Sequence, residues 1–233
     1  WFAWLIGRDF DVHVLPEATR AFEAYKKDRS GVAPDVPFQM LTALNLTPNQ
    51  WTQIAKNGSW QMVRQNLNTF ARHGVFGTTK AEKAIAAKLR DAQSIEKARV
   101  LPYQLMAAYK ATDAAVPQPV REALQDAMEI ALKNVPELAG DVVVCPDVSG
   151  SMSTAVSGQR GSATSAVRCI DVAALVAAAL LRKNPTTMVL PFEQKVVSLS
   201  LNPRDSVMTN AEKLAAVGGG GTNCSAPLAL LNA

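Results

Sequence analysis

Positions 145–153 read CPDVSGSMS and follow the apolar run Val142-Val143-Val144. A short buried strand that ends in Asp147, with Ser149 and Ser151 two and four residues on, gathers one carboxylate and two hydroxyls in a small space. Gly150 lets the backbone fold tightly between the serines. Such an oxygen set suits a divalent cation. Magnesium is the first expectation and manganese the second, because both prefer hard oxygen donors. Further along, Gly219-Gly220-Gly221-Thr222 offers a third hydroxyl on a second glycine-rich loop.

Other chemistries for this loop fail on particular residues. A phosphate-binding loop needs G-x-x-x-x-G-K-[ST], and the lysine is missing. The dinucleotide fingerprint G-x-G-x-x-G is missing too. A nucleophile elbow, G-x-S-x-G around Ser151, fails at Ser153. A phosphoaspartate enzyme would usually carry a second Asp where Ser149 stands. The bland alternative is that Asp147 and the serines merely cap a loop. The later G-G-T ahead of a helix argues against it.

The elements around the loop have two different periods. Residues 1–137 read as helices: 19–27 opened by Thr19, 59–74 between Ser59 and Gly74, 79–92, 102–111 behind Pro102, and 119–134. Amphipathic helices with short joints predict stacked antiparallel pairs, with a compact bundle as the alternative. From Asp141 the pattern becomes strand (141–147), buried helix (165–183), strand (187–192), a further alternating strand (196–201) and helix (210–217). That order predicts a parallel α/β sheet, whose strand carboxyl ends carry the ligand site. The expected boundary lies between 1–137 and 138–233.

The chain of 233 residues is 48% hydrophobic and 19% charged, a globular composition. Its net charge of +4 is uneven. Between Lys56 and Lys110 ten Lys/Arg face three acids. A stretch of that sign suits a polyanion, and a solvated helical face is the simpler reading. Arg64, Arg72, His73, Lys80, Lys83, Lys88 and Arg90 are the candidate phosphate contacts there. Arg64, between Val63 and Leu67, points either into the interior of a ring of helices or toward an acid partner. His73 could stack on a base, whereas Trp51 and Trp60 fall at core spacing. Arg160, in the Ser-rich loop 153–166, is a further candidate. The three scattered cysteines read as reduced thiols of a cytoplasmic protein, and no apolar run is long enough to span a bilayer.

D-V-S-G-S, a long apolar helix and G-G-T-N together resemble a von Willebrand factor A domain with its metal-ion-dependent adhesion site. The resemblance implies that Asp147, Ser149, Ser151 and Thr222 gather one divalent ion, and that the ion's open position takes an acidic group from a partner. The family's further Asp has no counterpart before Ala233. Residues 36–76 and 95–111, with Pro37, Thr42, Trp51, the run MVRQNL, Gly74-Val75 and the run RVLPYQL, resemble the TROVE module of Ro ribonucleoproteins. The expected member is bacterial or from a phage, and the chain reads as cut at both ends. The resemblance implies HEAT-like helical repeats followed by the A domain, closed into a monomeric ring. It implies binding of structured Y-like RNA on the basic outer surface and of single-stranded 3′ ends of misfolded RNAs, without catalysis. It also implies an exoribonuclease partner such as polynucleotide phosphorylase, and no membrane.

Two other functions compete with RNA binding. The A-domain loop could serve a protein-interaction module that captures an acidic partner through magnesium. A metal hydrolase built on Asp147 is the weaker rival, because neither histidine has a motif near the site.

Overall fold

The computed structural model describes residues 2–156 and 167–233. The chain divides into two compact units, Trp1–Ile85 and Ala86–Ala233. Among the described residues the elements run α1 (Phe2–Leu5), α2 (Glu17–Lys27), α3 (Phe38–Thr42), α4 (Pro48–Asn57), α5 (Trp60–Gln65), α6 (Leu67–Arg72), α7 (Thr79–Leu89), α8 (Ala92–Lys97), α9 (Pro102–Ala111), α10 (Gln118–Ile130), β1 (Val143–Val144), α11 (Cys169–Lys183), β2 (Met188–Val189), α12 (Val207–Ala215) and α13 (Ala226–Leu231). This is the helical module followed by an α/β part that the sequence predicts.

In the first unit the core forms around aromatic edges. Phe38, Trp51 and Phe70 meet pairwise at 6.1, 6.1 and 6.4 Å between centroids, all edge-to-face. Ser59 caps α5 as its sequence position predicts, accepting from the Met62 N–H at 3.2 Å. The expected helix 59–74 is broken at Asn66, however. The Asn66 side chain donates to the Met62 carbonyl at 2.8 Å, and its backbone leaves the helical region. Gly74, at φ +71°, ends the pair of helices. The Val75 N–H reaches Phe70 O and the Gly74 N–H reaches Ala71 O, the paired bonds of a Schellman turn. Thr19 does not cap α2. The helix begins two residues earlier, with Pro16 in the cap position.

In the second unit α9, α10, α11 and α12 share one core. Leu105, Met106, Leu124, Met128, Leu175 and Leu214 are fully buried there. Each such side chain contributes roughly 1.5–3 kcal/mol over an exposed one. Small residues on α11 (Ala174, Ala177, Ala178) let the neighbouring helices approach closely. That helix is not apolar against protein all round, because Val176 is 44% exposed. Two side chains tie the elements over long sequence distances. Glu129 on α10 accepts from the Val207 N–H at 2.7 Å and so caps α12 from outside. Asn134 donates to the carbonyls of Ile95 and Val100 at 3.3 and 2.8 Å.

The sheet pairs β1 and β2 in parallel, Val143 with Met188 and Val144 with Val189, with α11 as the crossover. A parallel bridge between Asp147 and Phe192 carries the pairing to the carboxyl end. The expected strand 196–201 does not form. Val196 makes one antiparallel bridge to Phe192 and Val197 donates to Pro191 O, which is a tight return of the chain. Beyond Val197, no ladder partner lies alongside this segment among the described residues.

Candidate functional site

Parallel pairing brings the ends of the two strands together, and with them two loops. Asp147 Oδ1 accepts from the Ser149 N–H at 2.8 Å, and its other oxygen has no hydrogen-bond partner among the described residues. The hydroxyls of Ser149 and Ser151 face each other at 3.3 Å. That is long beside the roughly 2.7–2.8 Å usual between hydroxyls, so the contact between them is weak. Ser149 is 2% exposed. The glycine-rich loop 218–222 lies against this turn. The Gly150 N–H donates to Gly220 O and the Gly219 N–H to Val148 O, each at 2.9 Å. A side chain at Gly218, whose φ is +85°, would lie 2.2 Å from Val148 O. Thr222, on the same loop, is exposed.

One carboxylate and closely placed hydroxyls fit a hard divalent ion in donor type. Asp147, Ser149 and Ser151 are the residues that would hold it, with Thr222, two residues beyond Gly220 on the adjoining loop, as the fourth candidate. The structure adds a group absent from the sequence reading. Glu193 follows directly on the Phe192 bridge, and its Oε2 accepts from the Gly220 N–H at 2.7 Å. The signal was present, because a residue just past a second parallel strand must lie near the end of the first. Among the described residues, no three His, Cys, Asp or Glu side chains are grouped to bind a metal.

The basic candidates separate by environment. Arg72, Lys80 and Lys83 are exposed and form no ion pair among the described residues. Arg72 donates to the Thr69 hydroxyl at 3.2 Å. Arg64 is 9% exposed, with its guanidinium 5.8 Å from the Trp60 ring centre, and burial pushes its pKa down. That placement leaves little of it for a phosphate. Half-burial likewise lowers the pKa of Lys88. Arg90 is held by Asp126 at 2.6 Å. His73 is exposed, but one ring face stacks on Trp51 at 4.1 Å and 14°, so only the other face can meet a base. Trp51 and Trp60 are buried. Arg160 lies outside the described residues.

A second carboxylate in the α/β part also escaped the sequence reading. Asp171, 3% exposed on the first turn of α11, receives Lys110 from α9 at 2.8 Å and Arg168 at 2.9 Å. Burial pushes its pKa up, but the hydrogen bonds from Arg168 and Lys110 prevail and hold it at about 2.

A helical module leading into a parallel α/β fold, with an oxygen-rich loop at the strand ends, defines a helical-repeat protein carrying a von Willebrand-type domain. Residues 32–152 match the TROVE domain, and residues 142–230 match the Ro60 vWA domain. The chain belongs to the TROVE family, in the Ro arrangement. It is similar to the RNA-binding protein RO60 of Deinococcus radiodurans, at 27% identity over 186 residues, 74% of this chain and 34% of that protein. Its fold is that of the crystal structure of the Deinococcus radiodurans RO (RSR) protein. The TM-score is 0.69 at 21% identity, over 93% of this chain and 45% of the other. The chain thus spans about a third of the curated relative. No described helix is long and apolar enough to cross a membrane.

Proposed function

We propose that this chain is the RNA-binding part of a Ro-type protein and works by binding, without catalysis. The observation that carries the reading is the TROVE match over the stretch that holds the exposed cations Arg72, Lys80 and Lys83. The ligands proposed are a structured Y-like small RNA and single-stranded 3′ ends of misfolded RNAs, in cytoplasmic RNA quality control. An exoribonuclease is the proposed partner, and the intact protein a single-chain ring. Magnesium, or manganese in its place, would be held by Asp147, Ser149, Ser151 and Thr222. When bound, it would supply an open position for an acidic group.

The test is filter retention of a structured RNA with a single-stranded 3′ tail across a salt series. Changing Arg72, Lys80 and Lys83 together to Gln is expected to lower the magnitude of the log–log salt slope by about 2, since each phosphate contact contributes roughly 0.7–0.9. An unchanged slope would remove these three cations from the RNA contact. A second reading has its own support: the Asp147 loop is pinned to the glycine loop by contacts that involve no basic helix. In that reading the α/β part captures an acidic protein through magnesium, and EDTA dissolves that complex while RNA binding stays at background.

A further inference from the structure

We propose that Glu193 is the positioning residue that presents Thr222 to the ion site, by holding the glycine loop on both sides of that threonine. Its carboxylate Oε2 accepts from the Gly220 N–H at 2.7 Å, two residues before Thr222. Its backbone carbonyl accepts from the Asn223 N–H at 2.8 Å, one residue after. Gly220 in turn gives its own carbonyl to the Gly150 N–H, between the two serines. One residue therefore links the end of the second strand, the glycine loop and the D-x-S-x-S turn.

The side chains of Glu193 and Gln194 pack directly against the glycine loop. A Cβ at Gly220 would lie 2.7 Å from Glu193 Oε2. One at Gly221 would lie 2.7 Å from Gln194 Nε2, and one at Gly150 would lie 2.8 Å from Gly219 O. At Gly150 the obstacle is backbone, whereas at Gly220 and Gly221 it is the ends of the Glu193 and Gln194 side chains, which a larger residue would push aside. A hydrogen bond from a backbone N–H to a carboxylate is charge-assisted, and stronger than a neutral one. With Oε2 given to Gly220, Glu193 acts through the loop. Groups that orient ligands in this way typically alter metal affinity by about 10–100-fold.

The inference rests on the metal reading of the Asp147 loop, and the test separates the two. The full chain is titrated with manganese, free ion being read by electron paramagnetic resonance. Amide exchange of residues 220–223 is followed in the metal-free protein. Glu193→Ala is expected to weaken manganese binding about tenfold and to speed exchange across the loop. Glu193→Gln keeps an acceptor oxygen and is expected to restore most of both. Gly220→Ala expels the carboxylate and is expected to reproduce the loss, with the double variant no worse than either single one. Wild-type exchange and affinity in Glu193→Ala would overturn the proposal. So would Glu193→Gln losing affinity as fully as Glu193→Ala while loop exchange stays slow, which would make the carboxylate an ion ligand. If the wild-type chain binds no manganese, the metal reading fails and with it the effect on affinity. The exchange comparison still decides whether Glu193 holds the loop.

Discussion

Asp171→Asn is expected to lower the unfolding free energy by about 3 kcal/mol, measured by urea denaturation at neutral pH. The carboxylate is almost fully buried and satisfies several donors at once. Oδ1 takes Lys110 at 2.8 Å and Arg168 Nη2 at 2.9 Å, while Oδ2 takes the Arg168 backbone N–H at 2.8 Å. Asparagine removes the charge and leaves two cations without their anion. The same group makes stability depend on acid. Its folded pKa of about 2 lies below the ordinary carboxylate value of 3.8. Its contribution is therefore whole above the unfolded pKa, and drains away as pH falls from about 4 toward 2. Roughly 2 kcal/mol is at stake in that window. That share of the acid loss should vanish in Asp171→Asn, leaving only what other carboxylates contribute. A variant as stable as the wild type at neutral pH, or one that keeps the same loss between pH 4 and 2, would show that the ion pairs contribute nothing.

The second large effect is expected at Trp51. Trp51→Ala should cost about 4 kcal/mol in the first unit, by thermal or denaturant unfolding of the full chain. The indole is 1% exposed, meets Phe38 and Phe70 edge-on, and lies flat against His73. Its Nε1 is buried without a hydrogen-bond partner among the described residues. Trp51→Phe should therefore be mild, under about 1.5 kcal/mol, because it keeps most of the packing and removes an unsatisfied N–H. If Phe cost as much as Ala, the unsatisfied nitrogen would be a misreading of the site. An alanine variant losing less than about 1 kcal/mol would show that Trp51 is not a core residue, and would make it a candidate for RNA stacking.

Local signals were legible where the chemistry is local. Ser59 accepts from its own helix, Gly74 takes the left-handed turn, and Pro102 opens a helix whose ends match its pattern. Thr47 and Gln50 form a capping box at α4, which was equally legible but not singled out. The break at Asn66 was hidden, because Val63, Leu67 and Phe70 keep helical spacing across it. A side chain that bonds back to its own helix leaves no mark on the apolar period. The segment 196–201 erred the other way. Its alternation is real, but a strand needs a neighbour, and alternation cannot supply one.

The candidate site divides in the same manner. By itself the sequence determined the D-x-S-x-S turn, the later glycines with Thr222, the order of helical module and α/β part, and the excess of basic charge in the helices. These depend on residue types a few positions apart, or on composition. Only the tertiary structure decided which cations remain available: Arg64 was buried, Arg90 met Asp126, and Arg72, Lys80 and Lys83 stayed at the surface. It alone placed Lys110 on Asp171, Glu129 on the first amide of α12, and Glu193 on Gly220. Such partners are distant along the chain. Their meeting depends on how helices and strands pack, and no spacing within one segment records it.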